Sequence, residues 1–165
     1  MRSKKAQAWG FDLIIASTLF LMGIVVFYFY SLNYPTEGGE ILDSLFYEGD
    51  IIAGTLLSDG YPDNWDQNNV VRVGILTNDK INETKLERFY TLTNETLTPG
   101  GYAKTKSLFN TKYEYYVNFS TQMNISGGEI DGIGKQPTDT KNLIKITRFV
   151  SYQNKPTTLY VYIWE

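Results

Sequence analysis

The chain contains no cysteine and no histidine. Without cysteine no disulfide can staple the fold and no thiol chemistry is available. Without histidine the common zinc sites and histidine-based acid and base catalysis are excluded. Positive charge is also scarce: 15 Lys and Arg stand against 18 Asp and Glu, for a net charge of −3. Arg2, Lys4 and Lys5 spend three of those cations at the start, so the remainder of the chain is acidic and has no basic patch. Such a surface is a poor partner for nucleic acid.

Charge is missing altogether from Leu13 to Tyr30, which reads LIIASTLFLMGIVVFYFY. A helix of that length rises about 27 Å, close to the thickness of a bilayer's hydrocarbon core. The run exceeds the apolar core of a removable secretory signal, and SLNYP comes after it where a small-residue cleavage site would stand. A retained membrane anchor is therefore expected. The cations before the run, with none close behind it, predict a cytoplasmic N-terminus and an extracellular head. Trp9 and Phe11 mark the inner membrane edge, and Tyr28, Tyr30 and Tyr34 the outer one.

Pro35 is expected to end or kink the membrane helix, and Gly38 and Gly39 loosen the chain just beyond it. A second helical pattern runs from about Glu40 to Leu57, with Ile41, Leu45, Ile52 and Leu56 on one stripe and Leu42, Phe46 and Ala53 beside it. The expected divisions are 1–6, a basic leader; 7–34, a membrane helix; 35–58, a head helix; and 59–165, a β-rich head. Within the head, DGYPDNWDQNN reads as a loop pinned by Tyr61 and Trp65. Val70 to Leu76 reads as a strand. Short helices are expected over Glu83 to Leu92 and Gly101 to Phe109. Lys112 to Ser120 alternates as a strand, Asn142 to Tyr152 alternates more clearly, and QNKPT turns that strand into Thr158 to Glu165, forming an antiparallel hairpin. The glycine-rich ISGGEIDGIGKQPTDT is expected to be a long or bulged connection. The resulting class is α+β, with a helix packed on an antiparallel sheet.

The chain offers few residues arranged for chemistry. Gly134-Lys135 invites a phosphate-loop reading, but Glu129 and Gln136 occupy the places that need glycine and Ser or Thr. Asp59, Asp63 and Asp66 with Asn64 and Asn68 offer oxygens for calcium, yet without the glycine and terminal glutamate of an EF-hand, so a solvated loop is expected there. No pair of carboxylates is singled out by its spacing. The chain is read as a non-enzyme without metal or cofactor. Four N-x-S/T sequons, at Asn82, Asn94, Asn118 and Asn124, are candidate glycan acceptors in an exported chain. The 13 Tyr, 9 Phe and 3 Trp suit half-buried strands and a small core, with a sugar-binding or adhesive surface as the other use.

Lys4-Lys5-Ala6-Gln7 followed by Asp12 and the apolar run resembles the class III signal segment of archaeal type IV pilins and related archaeal surface proteins. The resemblance covers residues 2 to 34. It implies that a prepilin peptidase cuts between Ala6 and Gln7 and that pilus assembly machinery packs the apolar helix into a homopolymeric cell-surface filament or a pseudopilus. Two departures stand out. Ala6 replaces the usual glycine, and Asp12 falls at mature position six where the family acid usually sits at five; a cut after Gln7 restores that spacing. In the family such an acid neutralises the free amine of a neighbouring subunit. An ordinary first-turn carboxylate is the other reading of Asp12. Ala16 and Gly23, seven residues apart on one face with Ser17 and Thr18 adjoining, would let helices approach closely. The alternative function is a monomeric anchored surface module that binds glycans or a protein partner. An exported hydrolase with a carboxylate site is a third.

Overall fold

Two long helices open the chain and divide its apolar residues in different ways. The computed structural model describes residues 4–33, 37–125 and 128–165. Helix α1 spans Lys4–Asn33 and α2 spans Glu37–Leu56. Arg2, Tyr34 and Pro35, with the expected kink, lie outside the described residues. The chain forms two compact units, Met1–Glu37 and Gly38–Glu165. The architecture is α+β, with an N-terminal apolar helix and a mixed sheet.

In the second unit, strands β1 (Leu76–Thr77) and β2 (Lys80–Ile81) are followed by helices α3 (Glu83–Thr93) and α4 (Gly101–Phe109). Then come β3 (Glu114–Phe119), β4 (Met123–Ile125), β5 (Gly128–Ile130), β6 (Ile133–Gly134), β7 (Leu143–Tyr152) and β8 (Lys155–Trp164). Six strands form one sheet in the order β1-β2-β7-β8-β3-β6, while β4 and β5 pair separately. The sheet is mixed rather than wholly antiparallel, because β2 runs parallel to β7 where Lys80 meets Ser151. Lys80 Nζ also reaches Asn154 Oδ1 at 2.8 Å, holding this short strand to the end of the hairpin.

The hairpin of β7 and β8 is the backbone of the sheet, and its turn is shorter than QNKPT. Gln153 and Asn154 alone make it, at φ 49° and 62°, with Tyr152 opposite Lys155. Two consecutive positive φ values match the twist of the flanking strands. Pro156 therefore lies within β8, opposite Ser151, beyond the last β3 pair at Phe119 and Leu159. There β8 has no β3 residue to pair with, so the missing proline N–H breaks no ladder.

Helix α2 packs Leu45, Ile52, Ala53 and Leu56 inward, all fully buried. Gly49 permits the approach: a Cβ there would stand 3.0 Å from Ile163 Cγ2 and 3.1 Å from Ile146 Cγ1. Leu42 and Phe46, expected beside the buried stripe, are instead exposed: Leu42 is on the same side as Leu45 and Ala53 but nearer the start of the helix, ahead of the buried stretch that begins at Leu45, and Phe46 falls at the edge of the inward arc. Two polar ties flank that arc, from Arg148 to Asp50 and from Thr111 to Glu48.

Val70 to Leu76 is a further correction. It makes only a bridge from Arg72 to Tyr61 before β1 begins. Its amides go elsewhere, Val71 and Arg72 to the Tyr61 carbonyl, Ile75 to Leu56 and Leu76 to Ser58. Gly74 lies so close to the Gly60 and Ser58 backbone that any Cβ would collide. Val73 and Ile75 are buried, so hydrophobic demand was legible there while the hydrogen-bond partner was not. Trp65 is fully buried and donates Nε1–H to the Gly74 carbonyl at 3.0 Å. Tyr61, expected to share that anchoring role, is exposed. The glycine-rich stretch holds the β4–β5 pair and β6, with its Ser126 and Gly127 outside the described residues.

Candidate functional site

Helix α1 is the first candidate because its composition demands an environment that its own unit does not supply. Trp9–Leu32, 24 residues, is long and apolar enough to cross a membrane, and none of that stretch is buried. At 1.5 Å per residue it rises about 36 Å, against about 30 Å of hydrocarbon. Its hydroxyls are satisfied internally: Ser17 Oγ and Thr18 Oγ1 donate to the Ile14 carbonyl at 3.0 and 2.8 Å. Such back-bonding lets a hydroxyl sit in lipid without an unmet donor.

Asp12, Ala16 and Gly23 all fall on α1. At 100° per residue they lie within about 40° of one another, so the acid and the two small residues share a face. A Cβ built at Gly23 meets nothing within 4 Å. Lys4, Lys5, Ala6 and Gln7 form the start of α1, and their side chains are outside the described set.

The four sequons fall at quite different places in the head. Asn82 caps α3: its Oδ1 accepts from Lys85 N at 3.1 Å and its Nδ2 donates to Thr77 Oγ1 at 3.2 Å. Asn94 ends α3, donating Nδ2–H to the Tyr90 hydroxyl at 3.2 Å and accepting from Thr96 N at 2.9 Å. Asn118 lies in β3 opposite Tyr160, with its Oδ1 buried and unpaired. Asn124 lies in β4, opposite Glu129. Helix capping explains the asparagines at 82 and 94 without a glycan.

Asn94 also lines a cleft of about 500 Å³, bounded by the end of α3, the start of α4 and β6. Glu95 closes one end by accepting from Gly100 N at 2.8 Å and Tyr102 N at 3.0 Å. Its carboxylate thus faces the positive end of the α4 dipole. The Tyr102 hydroxyl accepts from Tyr115 N at 2.9 Å and donates to Tyr115 O at 3.2 Å, an oxygen that also accepts from Lys135 N at 3.1 Å. Its ring stacks on Tyr115 with centroids 5.0 Å apart. Burial pushes both phenols well above the usual tyrosine range. Both therefore stay neutral hydrogen-bonding groups.

Gly134-Lys135 adjoins this cleft, and Lys135 Nζ stands 3.6 Å from Glu114 Oε2. Desolvation by burial works to raise the Glu114 carboxyl, but the hydrogen bond from Lys106 and the charges of Lys106 and Lys135 outweigh it. The net effect holds Glu114 below the ordinary carboxylate range.

The acidic loop is built by local hydrogen bonds. Asp66 Oδ1 accepts from Asn68 N at 2.7 Å and Asn69 N at 3.2 Å. Asp63 pairs with Lys85, whose buried ammonium also donates to the carbonyls of Asp59 and Leu76, each contact being 2.9 Å. Nothing in the spacing of Lys85 marked it as the tie between this loop and α3; only the fold brings its three partners together. Among the described residues no group of three or more acidic side chains is placed to hold a metal ion. Comparison with protein-family models, curated proteins and solved structures found no match to the chain.

Proposed function

We propose that this chain is a structural subunit anchored in a membrane by α1, with a folded head outside, and that it assembles through α1 into a pilus-like filament or pseudopilus. The observation that carries the proposal is the surface of α1: from Trp9 to Leu32 it is apolar on every side apart from Asp12, and wholly unburied. A helix of that kind requires lipid or other helices around it. The shared face of Asp12, Ala16 and Gly23 supports the second half of the reading. Small residues allow close helix approach, and an isolated carboxylate in an apolar surround calls for a positive partner. In a polymer of processed subunits the new N-terminal amine of a neighbour supplies it.

Mass spectrometry of the mature N-terminus is the first test. Removal of residues up to Ala6 or Gln7 is expected; an intact leader on native protein would falsify the assembly reading. Asp12→Ala is then expected to abolish detergent-resistant polymer while leaving the protein in the membrane fraction. Polymer that persists undiminished in that variant removes Asp12 from assembly.

A further inference from the structure

The second unit carries large apolar side chains on two opposite faces, and the two faces differ in charge. Gly49 of α2 lies against Ile146 and Ile163, so the sheet covers the inward arc of that helix. A half-turn away, Tyr47 is 67% exposed and Ile51 39% exposed. Glu40 and Asp43 are exposed on the same outward side, and α2 contains no Lys or Arg.

The sheet shows the reverse character on its far side. Because Ile146 points to the core, Lys145, Thr147 and Phe149 point away from α2. Phe149 is 84% exposed. Lys145 Nζ lies 3.8 Å from the centroid of the Tyr160 ring and 5.3 Å from that of Tyr162. Strands β7 and β8 contain Lys145, Arg148 and Lys155 and no Asp or Glu. Arg148 is engaged by Asp50 on the inward side, whereas Lys145 is displayed outward over the aromatic rings.

We infer that the outer face of the β7–β8 hairpin docks on the outward face of α2 in a second copy of this chain. The inference rests on the assembly reading above and adds the head surfaces that set the contact between neighbours. Both faces present exposed large side chains, which single folded domains seldom group without a partner. The acidic charge around Tyr47 complements the cationic and aromatic surface around Phe149. Since the two faces are different and lie on opposite sides of the unit, the contact is heterologous, and each docking leaves one free face of each kind. Repetition then gives an open polymer rather than a closed dimer.

The absence of native cysteine makes cross-linking a clean test on the full chain in membranes or detergent. Gly54→Cys and Thr147→Cys place thiols beside the two faces without replacing Tyr47 or Phe149; a Cβ at Gly54 meets nothing within 4 Å. A flexible bis-maleimide is expected to link the double variant into a ladder of dimers, trimers and higher species, while each single variant gives none. Adding Phe149→Glu is expected to reduce the ladder at least about tenfold. Its effect on folding is checked separately by thermal melting. Single variants that dimerise as readily as the double variant forms its ladder, or a ladder undiminished by Phe149→Glu, overturn the inference. A double variant that stays monomeric on the gel but sediments as polymer overturns the docking faces alone. Absence of both ladder and sedimenting polymer, with native chain likewise failing to sediment, overturns the assembly reading as well.

Discussion

Helices α1 and α2 contain many of the same residue types and meet their surroundings in opposite ways. In α1 the apolar residues run round the whole circumference and none from Trp9 to Leu32 is buried. In α2 they are divided, with Leu45, Ile52, Ala53 and Leu56 fully buried on one side and Glu40, Asp43 and Tyr47 exposed on the other. The difference shows that apolar content alone does not say what a helix packs against. Distribution around the axis does: a one-sided helix is completed by its own domain, and an all-round one needs an apolar medium or neighbours.

The largest effect tests whether the second unit is independent of α1. Removal of residues 1–33 is expected to shift the chain from the membrane pellet to the soluble fraction while the head keeps a cooperative thermal transition. Loss of that transition would break the comparison, since α1 would then be part of what folds the head. Within α2 the contrast between faces sharpens it. Ile52→Ala is expected to cost about 2–5 kcal/mol, the range for truncating a buried aliphatic side chain. Tyr47→Ala should remain within about 0.5 kcal/mol. Urea denaturation of both variants measures the gap, and equal costs would mean that the outward face is packed in the isolated chain.

The smallest effect is a pH dependence at the edge of the head. The folded environment of Glu114 holds its carboxyl below the ordinary value, so the contact with Lys106 and Lys135 adds stability at neutral pH. That contribution is fully present above the unfolded glutamate range, about 4.3. It is lost as the pH falls through that range toward the lower folded value. Glu114→Gln is therefore expected to flatten the acid limb of stability against pH between neutrality and about pH 3, a modest change for a partly exposed group. An unaltered slope would show that the unfolded state holds Glu114 equally well.

Much of the head was legible where periodicity and local chemistry agreed. Gly101 to Phe109 is helical with the bounds expected, and Glu83 begins α3 after an asparagine cap. The long β7 strand matches the alternation from Asn142 to Tyr152 closely. Failures came where a strand-like composition had no neighbouring strand to pair with. Val70 to Leu76 buries most of its apolar side chains, but its amides go to the Leu56 carbonyl at the end of α2 and to Ser58 and Tyr61 in the loop after it. The glycine-rich stretch hid β5 and β6 because each is so short, 3 and 2 residues. Of the candidate site, Ala16 and Gly23 were placed on one face from their spacing, and Asp12 joins them on α1. The outward pairing of Phe149 with Lys145 and the tyrosines could not, since it depends on which face of the sheet α2 covers.

Composition and order along the chain determined that no thiol, disulfide or histidine chemistry is available, and that the first long helix is apolar enough for a bilayer. Both conclusions come from side chains that are present or absent and from a period fixed by helix geometry. Tertiary structure alone decided which of the apolar residues in α2 and β7 are core and which are surface. Burial is a property of the partner as much as of the residue, and Gly49, by letting α2 approach Ile146 and Ile163, is what sets Ile52 inside and leaves Tyr47 outside.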